Sequence, residues 1–317
     1  MRILKWLLGI VVVLAIAVGA LLHERPVWVS DQQLHYRMWR AGEHSHFVQL
    51  PEGRIRYFEQ EAKGGGGVPL VLVHGLGGRS EDFAGIMPAF AAQGYHVYAL
   101  DLLGYGASDQ PASSDFSIST EEHVVLHFMD AVHLPHAYIA GWSMGGWIVL
   151  KLALDAPQRV DRVAVYDSAG IAFETDADTD LFTPTDRVGL ERLVRRLSPT
   201  MKVPPPMAEK EVFRKLARTR WVIDRSMRAM HGGKDALDLR LASMQPPLLI
   251  VYGTEDVLTP PSVGETMHKM DPRSVYATVE GCGHFAPVEC GDALSKVTLE
   301  FFKAQPAMVG GELRLAR

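Results

Sequence analysis

Residues able to perform nucleophilic chemistry sit at four places in the chain. Gly141-Trp142-Ser143-Met144-Gly145-Gly146 follows the apolar run Ala137–Ala140 and precedes a second apolar stretch. A serine framed this way stands on a sharp turn from strand to helix, and glycine at 141 and 145 avoids collision with neighbouring backbone. The turn leaves the Ser143 hydroxyl clear of the sheet edge and aims the Met144 N–H, at the helix start, where an oxyanion would form. Serine at its free pKa is a poor nucleophile and needs a base held in one tautomer. With this turn the chain order is serine, acid, histidine. Gly253-Thr-Glu-Asp256 supplies a carboxylate after one strand, and Glu280-Gly-Cys-Gly-His284 a histidine after the next. Asp256 is the expected orienting acid and His284 the expected base; Glu255 and Glu280 are the competing carboxylates. Ser168 lacks a glycine two residues before it and is set aside. The loop His74-Gly75-Leu76-Gly77-Gly78 is expected to bring a second oxyanion donor, the Leu76 N–H, beside Ser143.

The elements that must position these groups are legible as short apolar runs. Strands are expected at Phe47–Leu50 and Arg54–Glu61 around the turn Glu52-Gly53, then at Pro69–Val73, Tyr95–Asp101, Ala137–Ala140, Val160–Tyr166, Pro247–Tyr252 and Val275–Val279. Helices are expected over Ser80–Gln93, from a capping box Ser119-Thr-Glu-Glu122 to about His133, after Ser143 to Ala156, and over Asp292–Lys303. Alternation of this kind implies an α/β protein with a mostly parallel sheet covered on both faces. His35, His44 and His46 fall in a polar connector ahead of the first strand. Leu190, Leu193, Val194 and Leu197 recur at helical spacing, and Pro204-Pro-Pro206 separates that helix from another. Residues 171–245 therefore read as a helical cap between core segments 46–170 and 246–305, with a tail at 306–317.

The chain has 317 residues, 47% apolar and 22% charged, a net charge of -5 and two cysteines. This excludes a disordered chain and a disulfide scaffold, and no Cys/His set has zinc-site spacing. Mild acidity without a basic run argues against nucleic acid as a partner. Trp6–Leu22 is free of charged and polar side chains and follows Arg2 and Lys5. About 20 residues cross a bilayer, which Ile3–Leu22 supplies. Residues 1–25 are read as a retained anchor with the catalytic domain outside the cytoplasm. A signal peptide ending near Val18-Gly19-Ala20, with secretion after cleavage, and a buried core helix are the alternatives.

These motifs together resemble the α/β-hydrolase superfamily over residues 46–305, and within it the membrane-anchored monoacylglycerol lipase and esterase group. The resemblance is carried by the N-terminal segment, the His-Gly-Leu loop, Asp101-Leu-Leu-Gly-Tyr-Gly-Ala-Ser108, Ser143-Met-Gly-Gly146, Ser168-Ala-Gly170, Gly253-Thr-Glu-Asp256 and Gly283-His284. It implies an α/β-hydrolase fold, Ser143, Asp256 and His284 as catalytic triad, and Leu76 and Met144 as oxyanion donors. It implies hydrolysis of an acyl ester or lipid-like substrate through an acyl-enzyme, with no metal or organic cofactor. Trp142 departs from the family, where His, Asn, Thr or Gln is common, and its bulk is expected to narrow the acyl site. Serine at 143, where dehalogenases and soluble epoxide hydrolases carry Asp, excludes both. A carbon–carbon bond hydrolase of ring-cleavage dienones uses a similar Ser-Met-Gly-Gly turn and is the enzymatic alternative. A non-catalytic binding protein on the same scaffold is the alternative of another class.

Arg187–Arg228 contains 12 Lys or Arg against four acidic residues, a local balance of +8, so the remainder carries -13. The plain reading is a pair of solvated basic helices; the functional one rests this face on anionic headgroups. Met201, Val203, Met207, Phe213, Trp221, Met227 and Met230 are expected to form cap core or line an acyl cavity. Cys282 and Cys290 bracket His284. They can pair outside the cytoplasm, but the reading adopted is two free thiols, buried or partly so.

Overall fold

The computed structural model describes residues 23–317 and, ahead of them, residues 6, 7, 10, 11, 19 and 21. The expected membrane segment lies for the most part outside the described residues. Among those described, no helix is long and apolar enough to cross a membrane.

Nine strands form one sheet in the order β1-β2-β4-β3-β5-β6-β7-β8-β9. They are β1 Glu43–Gln49, β2 Arg54–Gln60, β3 Val68–Val73, β4 Tyr95–Leu100, β5 Ala137–Trp142, β6 Val160–Tyr166, β7 Leu248–Gly253, β8 Val275–Val279 and β9 Glu312–Leu315. The β1–β2 hairpin and the β2–β4 pair are antiparallel, and every pairing from β4 through β3 to β9 is parallel. Because side chains alternate along a strand, β3 feeds two cores. Leu70 and Leu72 join Phe83, Phe90, Phe301 and Phe302 on one face, while Val71 and Val73 join Phe128, Ile139, Ile148 and Leu150 on the other. This double burial explains why the central strands are unbroken apolar runs.

From residue 26 on, the helices are α1 Pro26–Ala41, α2 Met87–Ala91, α3 Ile118–Ala131, α4 Met144–Asp155, α5 Thr179–Phe182, α6 Arg187–Leu197, α7 Pro206–His231, α8 Pro261–Met270, α9 Ala286–Glu289 and α10 Gly291–Lys303. Several expectations are corrected here. The polar connector is split: His35 lies in α1, which Gly42 terminates at φ 90 by donating its N–H to Met38 and Trp39 carbonyls, and His44 and His46 lie in β1, which starts four residues earlier than expected. The helix placed at Ser80–Gln93 is a 3-10 turn at Ser80–Phe83 followed by α2, the proline near the α2 start lacking the N–H a continuous helix needs. The cap of α3 is Ser117, not Ser119: Ser117 is extended and accepts the Thr120 N–H, whereas the Ser119 hydroxyl turns to Asp235 at 2.5 Å. Residues 306–317 are more than a tail, since β9 extends the sheet beside β8.

The cap charge is also less free than its composition suggests. Seven of its twelve cations make ion pairs, among them Lys215 with Asp31, Arg196 with Asp176 and Arg220 with Asp180. Those three carboxylates lie outside the 187–228 window, so a count confined to the cap missed them.

At the hairpin edge, Glu43 faces Gln60 in register, and both Glu43 Oε2 and Gln60 Oε1 are buried without a partner among the described residues. Burial pushes the Glu43 carboxyl from 4.5 up to about 8. The folded chain then holds a proton that the unfolded chain releases, so stability falls as pH rises between those values. Glu43→Gln is expected to remove this decline and raise the unfolding free energy at pH 8 by about 1–2 kcal/mol, with little change at pH 4. Urea unfolding at the two pH values checks it; an equal gain at both would refute it.

Candidate active site

Ser143 occupies the turn between β5 and α4 with φ 56 and ψ -120, a region that non-glycine residues rarely adopt. Neighbouring backbone imposes it. A Cβ on Gly145 would overlap the Val73 carbonyl oxygen, and one on Gly141 the Gly145 carbonyl, so helix, turn and β3 lie in direct backbone contact. The Ser143 N–H donates to the Tyr166 carbonyl at 2.9 Å, tying the turn to β6.

Residues 141 and 113 positions from their partners converge on this serine. His284 Nε2 lies 2.9 Å from Ser143 Oγ, and His284 Nδ1 lies 2.8 Å from Asp256 Oδ2. With Nδ1–H donating to the carboxylate, Nε2 is left free to accept the serine proton. Asp256 is 3% exposed and His284 2%, so both work out of water. The other Asp256 oxygen accepts the Leu258 and Thr259 N–H groups at 2.7 and 3.0 Å, and the Thr259 hydroxyl lies 2.8 Å from Oδ2. Glu255 and Glu280, the competing carboxylates, are exposed and make no bond to His284.

Leu76, Ser143 and Met144 line one cavity together. The N–H groups of Leu76 and Met144 donate to no protein acceptor among the described residues. The loop bearing Leu76 is held by His74, whose Nδ1–H donates to the Gly75 carbonyl at 2.7 Å while Nε2 accepts the Leu102 N–H at 3.0 Å. Burial pushes the His74 pKa down, which suits a ring that must stay neutral to accept that bond. Behind it, buried Arg56 bridges Asp101 at 2.6 Å and Glu81 at 2.5 Å. Although burial opposes it, the His35 hydrogen bond and the Arg56 and Arg79 charges hold the Glu81 carboxyl well below its usual range.

Two expectations fail at this site. Trp142 does not narrow the cavity: it is buried on the opposite side, with Nε1 donating to the His284 carbonyl at 2.6 Å and its ring 4.8 Å from Phe285. Consecutive strand residues face opposite ways, so the residue beside an exposed serine packs inward. Cys282 and Cys290 are joined in a disulfide with Cα atoms 6.2 Å apart, closing the loop that carries His284. Their spacing says nothing of the tight return that brings them together.

The cavity, of about 290 Å³, is roofed by segments of which the cap reading identified only part. Met227 and Met230 of α7 contribute, but Met201, Val203, Met207, Phe213 and Trp221 do not; Phe173, Phe182 and Leu258 take their place. Trp221 instead packs edge-on against Phe116, 5.4 Å away. Asp167 and Thr259, both in the buried cluster around Asp256, were not singled out from sequence. The available signal for Asp167 was its position, a carboxylate directly after a buried parallel strand, where ligands and reacting groups gather.

A mostly parallel sheet presenting a serine on a strand-to-helix turn, with a histidine and a carboxylate from later strands, is the arrangement of α/β hydrolases. The chain belongs to that family: residues 68–289 match the alpha/beta hydrolase fold. It is 30% identical over 258 residues to the dihydrolipoyllysine-residue acetyltransferase component of the acetoin cleaving system of Pseudomonas putida, covering 78% of this chain and 66% of that relative's length. It is 25% identical to the 2-hydroxy-6-oxononadienedioate/2-hydroxy-6-oxononatrienedioate hydrolase of Burkholderia vietnamiensis, over 80% of this chain and 92% of that one. Identity to Lipase 1 of Psychrobacter immobilis is 28%, over 71% and 74% of the two chains. Among solved structures, a bacterial membrane phospholipase A superposes with a TM-score of 0.78 at 24% identity, covering 95% of this chain and 98% of that one.

Proposed function

We propose that the protein is a serine hydrolase of neutral, medium-chain carboxylic esters, monoacylglycerols included, acting through Ser143, His284 and Asp256. His284 takes the Ser143 proton as Oγ attacks the ester carbonyl, and the Leu76 and Met144 N–H groups receive the oxyanion. The alcohol leaves with the proton returned by His284, and water then releases the acid from the acyl-enzyme by the same steps.

The observation that carries the substrate class is the chemistry of the cavity beside Ser143. No lysine, arginine or carboxylate lines it, and His231 is its one titratable lining residue among those described. A dienedioate, the substrate named for the Burkholderia relative, would bury a carboxylate there without a fixed cation, at high cost. An alkyl chain meets Met144, Ile171, Phe173, Phe182 and Met227 instead. The cavity volume of about 290 Å³ is near the lower end for a small-molecule site, which suits an acyl chain of medium length.

A series of p-nitrophenyl esters tests this. Expected kcat/KM rises about fourfold per added methylene, from about 0.8 kcal/mol each, until the cavity fills near eight to ten carbons, and then falls. A flat profile to sixteen carbons, or faster turnover of a dienedioate than of any ester, would sink the proposal.

Residues 3–22 are assigned to the bilayer in the same proposal, with the hydrolase outside the cytoplasm. The basic N-terminal flank supports that orientation, as does a disulfide, which persists outside reducing compartments. The full chain is expected to stay with membranes through an alkaline wash, and a chain lacking residues 1–25 to be released; release of both would refute the anchor.

A further inference from the structure

Asp167 follows β6 with φ 45, fully buried, one residue before the serine that sequence reasoning discarded. Its backbone is committed: the N–H donates to the Val251 carbonyl at 2.9 Å, and its own carbonyl accepts the Thr259 hydroxyl at 2.8 Å. Its Oδ1 accepts the Gly253 N–H at 2.8 Å. Oδ2 is sealed from solvent, and no donor reaches it among the described residues. The Thr259 hydroxyl oxygen lies 2.8 Å from both the Asp167 carbonyl oxygen and Asp256 Oδ2, which sets the two aspartates side by side in one buried cluster.

Asp256 accepts three protein donors, the His284 Nδ1–H and the Leu258 and Thr259 N–H groups, while the single Thr259 hydroxyl proton goes to the Asp167 carbonyl, so one acceptor site of the Asp256 carboxylate is left. Two buried acceptors facing one another require a proton between them. The charges that act most on Asp167 are those of Asp256 and Glu289, with Tyr252 and Tyr276 also close and His284 beyond Asp256. A buried carboxyl in such company keeps its proton.

We propose that Asp167 is held as the neutral acid and donates its carboxyl proton in a hydrogen bond to the Asp256 carboxylate, as a positioning residue for the triad. The inference rests on the triad reading above. Asp256 then receives a donor from each side, His284 on one and Asp167 on the other, which fixes the carboxylate plane and shares its charge. The Asp167 side chain is anchored at the end of β7, where Oδ1 accepts the Gly253 N–H three residues before Asp256. Burial and the Asp256 charge both push the Asp167 carboxyl well above the usual range, in accord with this role.

Infrared difference spectroscopy between the wild-type protein and Asp167→Asn at pH 7 reports the proton directly. A protonated-carboxyl carbonyl-stretch band is expected in the wild-type-minus-variant difference spectrum, where the bands of other protonated carboxyls such as Glu43 cancel; a difference spectrum without that band overturns the proposal. This readout needs no turnover, so it fails separately from the triad reading, which stands or falls on Ser143→Ala. Asn keeps one acceptor for Gly253 and offers an N–H to Asp256, so Asp167→Asn is expected to retain kcat/KM within about threefold. Asp167→Ala removes the donor. Its kcat is expected to drop about tenfold or more with KM unchanged, and the acid limb of the pH profile to move up by about half a unit, because an unshared Asp256 charge favours the imidazolium. If the alanine variant does not fold, the infrared band and the asparagine variant still decide. Loss of activity in Asp167→Asn with kcat/KM down tenfold or more, or an alanine variant with an unmoved acid limb, would overturn the assignment.

Discussion

Ser143→Ala is expected to lower ester turnover by about 10⁵–10⁶-fold, because the nucleophile and the proton it delivers to His284 disappear together. The loss is chemical rather than structural. The Ser143 hydroxyl has His284 Nε2 as its hydrogen-bond partner, while the turn is held by backbone bonds to Tyr166, Trp147 and Ala169 that alanine preserves. Substrate affinity and thermal midpoint should therefore stay near their wild-type values. A fluorophosphonate probe is expected to label the wild-type chain at Ser143 and to leave the variant unlabelled. Labelling that persists in Ser143→Ala would remove this serine from the mechanism. A wild-type chain that takes no label would favour a non-catalytic binding protein.

Asp256→Asn is expected to cost about 10⁴-fold in kcat. The carboxylate accepts the His284 Nδ1–H at 2.8 Å and so keeps Nε2 unprotonated toward Ser143. An asparagine amide presented to Nδ1 turns the ring into the other tautomer, with its proton on Nε2, where it blocks transfer from serine. Leu258 and Thr259 tighten the effect, because their N–H groups hold one oxygen of the side chain at residue 256 in one orientation. Glu255→Gln and Glu280→Gln serve as controls and should keep kcat within about threefold, since both carboxylates are exposed. A loss in either comparable to that of Asp256→Asn would reassign the orienting acid.

Features set by neighbours in sequence were the legible ones. β6 and β8 run over the very residues expected, Val160–Tyr166 and Val275–Val279, because the buried parts of each strand, Val163–Tyr166 and Val275–Ala277, form short apolar runs. The turn at Ser143 was readable because its glycines answer contacts that the strand–turn–helix geometry itself creates. Features set by distant partners were not readable. Helix α1 has one fully buried residue, Met38, so its pattern is weak; its first N–H groups are capped by Glu211, 184 positions away, at 2.9 Å. Ser117 and Ser119 are both plausible caps by type, and only the docking of Ser119 against Asp235 separates them. The cavity wall from Phe173 and Phe182 comes from a segment of mostly irregular backbone, which has no period to read.

By itself the sequence determined which residues are capable of the chemistry and the order in which strands deliver them, because the proposed nucleophile, acid and base each sit at the carboxyl end of a recognisable apolar run. Only the tertiary structure decided how those ends meet. Parallel register across β5, β6, β7 and β8 brings Ser143, Asp167, Asp256 and His284 to one sheet edge, and that register depends on pairings between residues tens of positions apart. It also turned Trp142 inward, closed Cys282 on Cys290 and set Asp167 against Asp256. Each is a non-local contact whose geometry follows from packing the whole sheet and not from the residue types that make it.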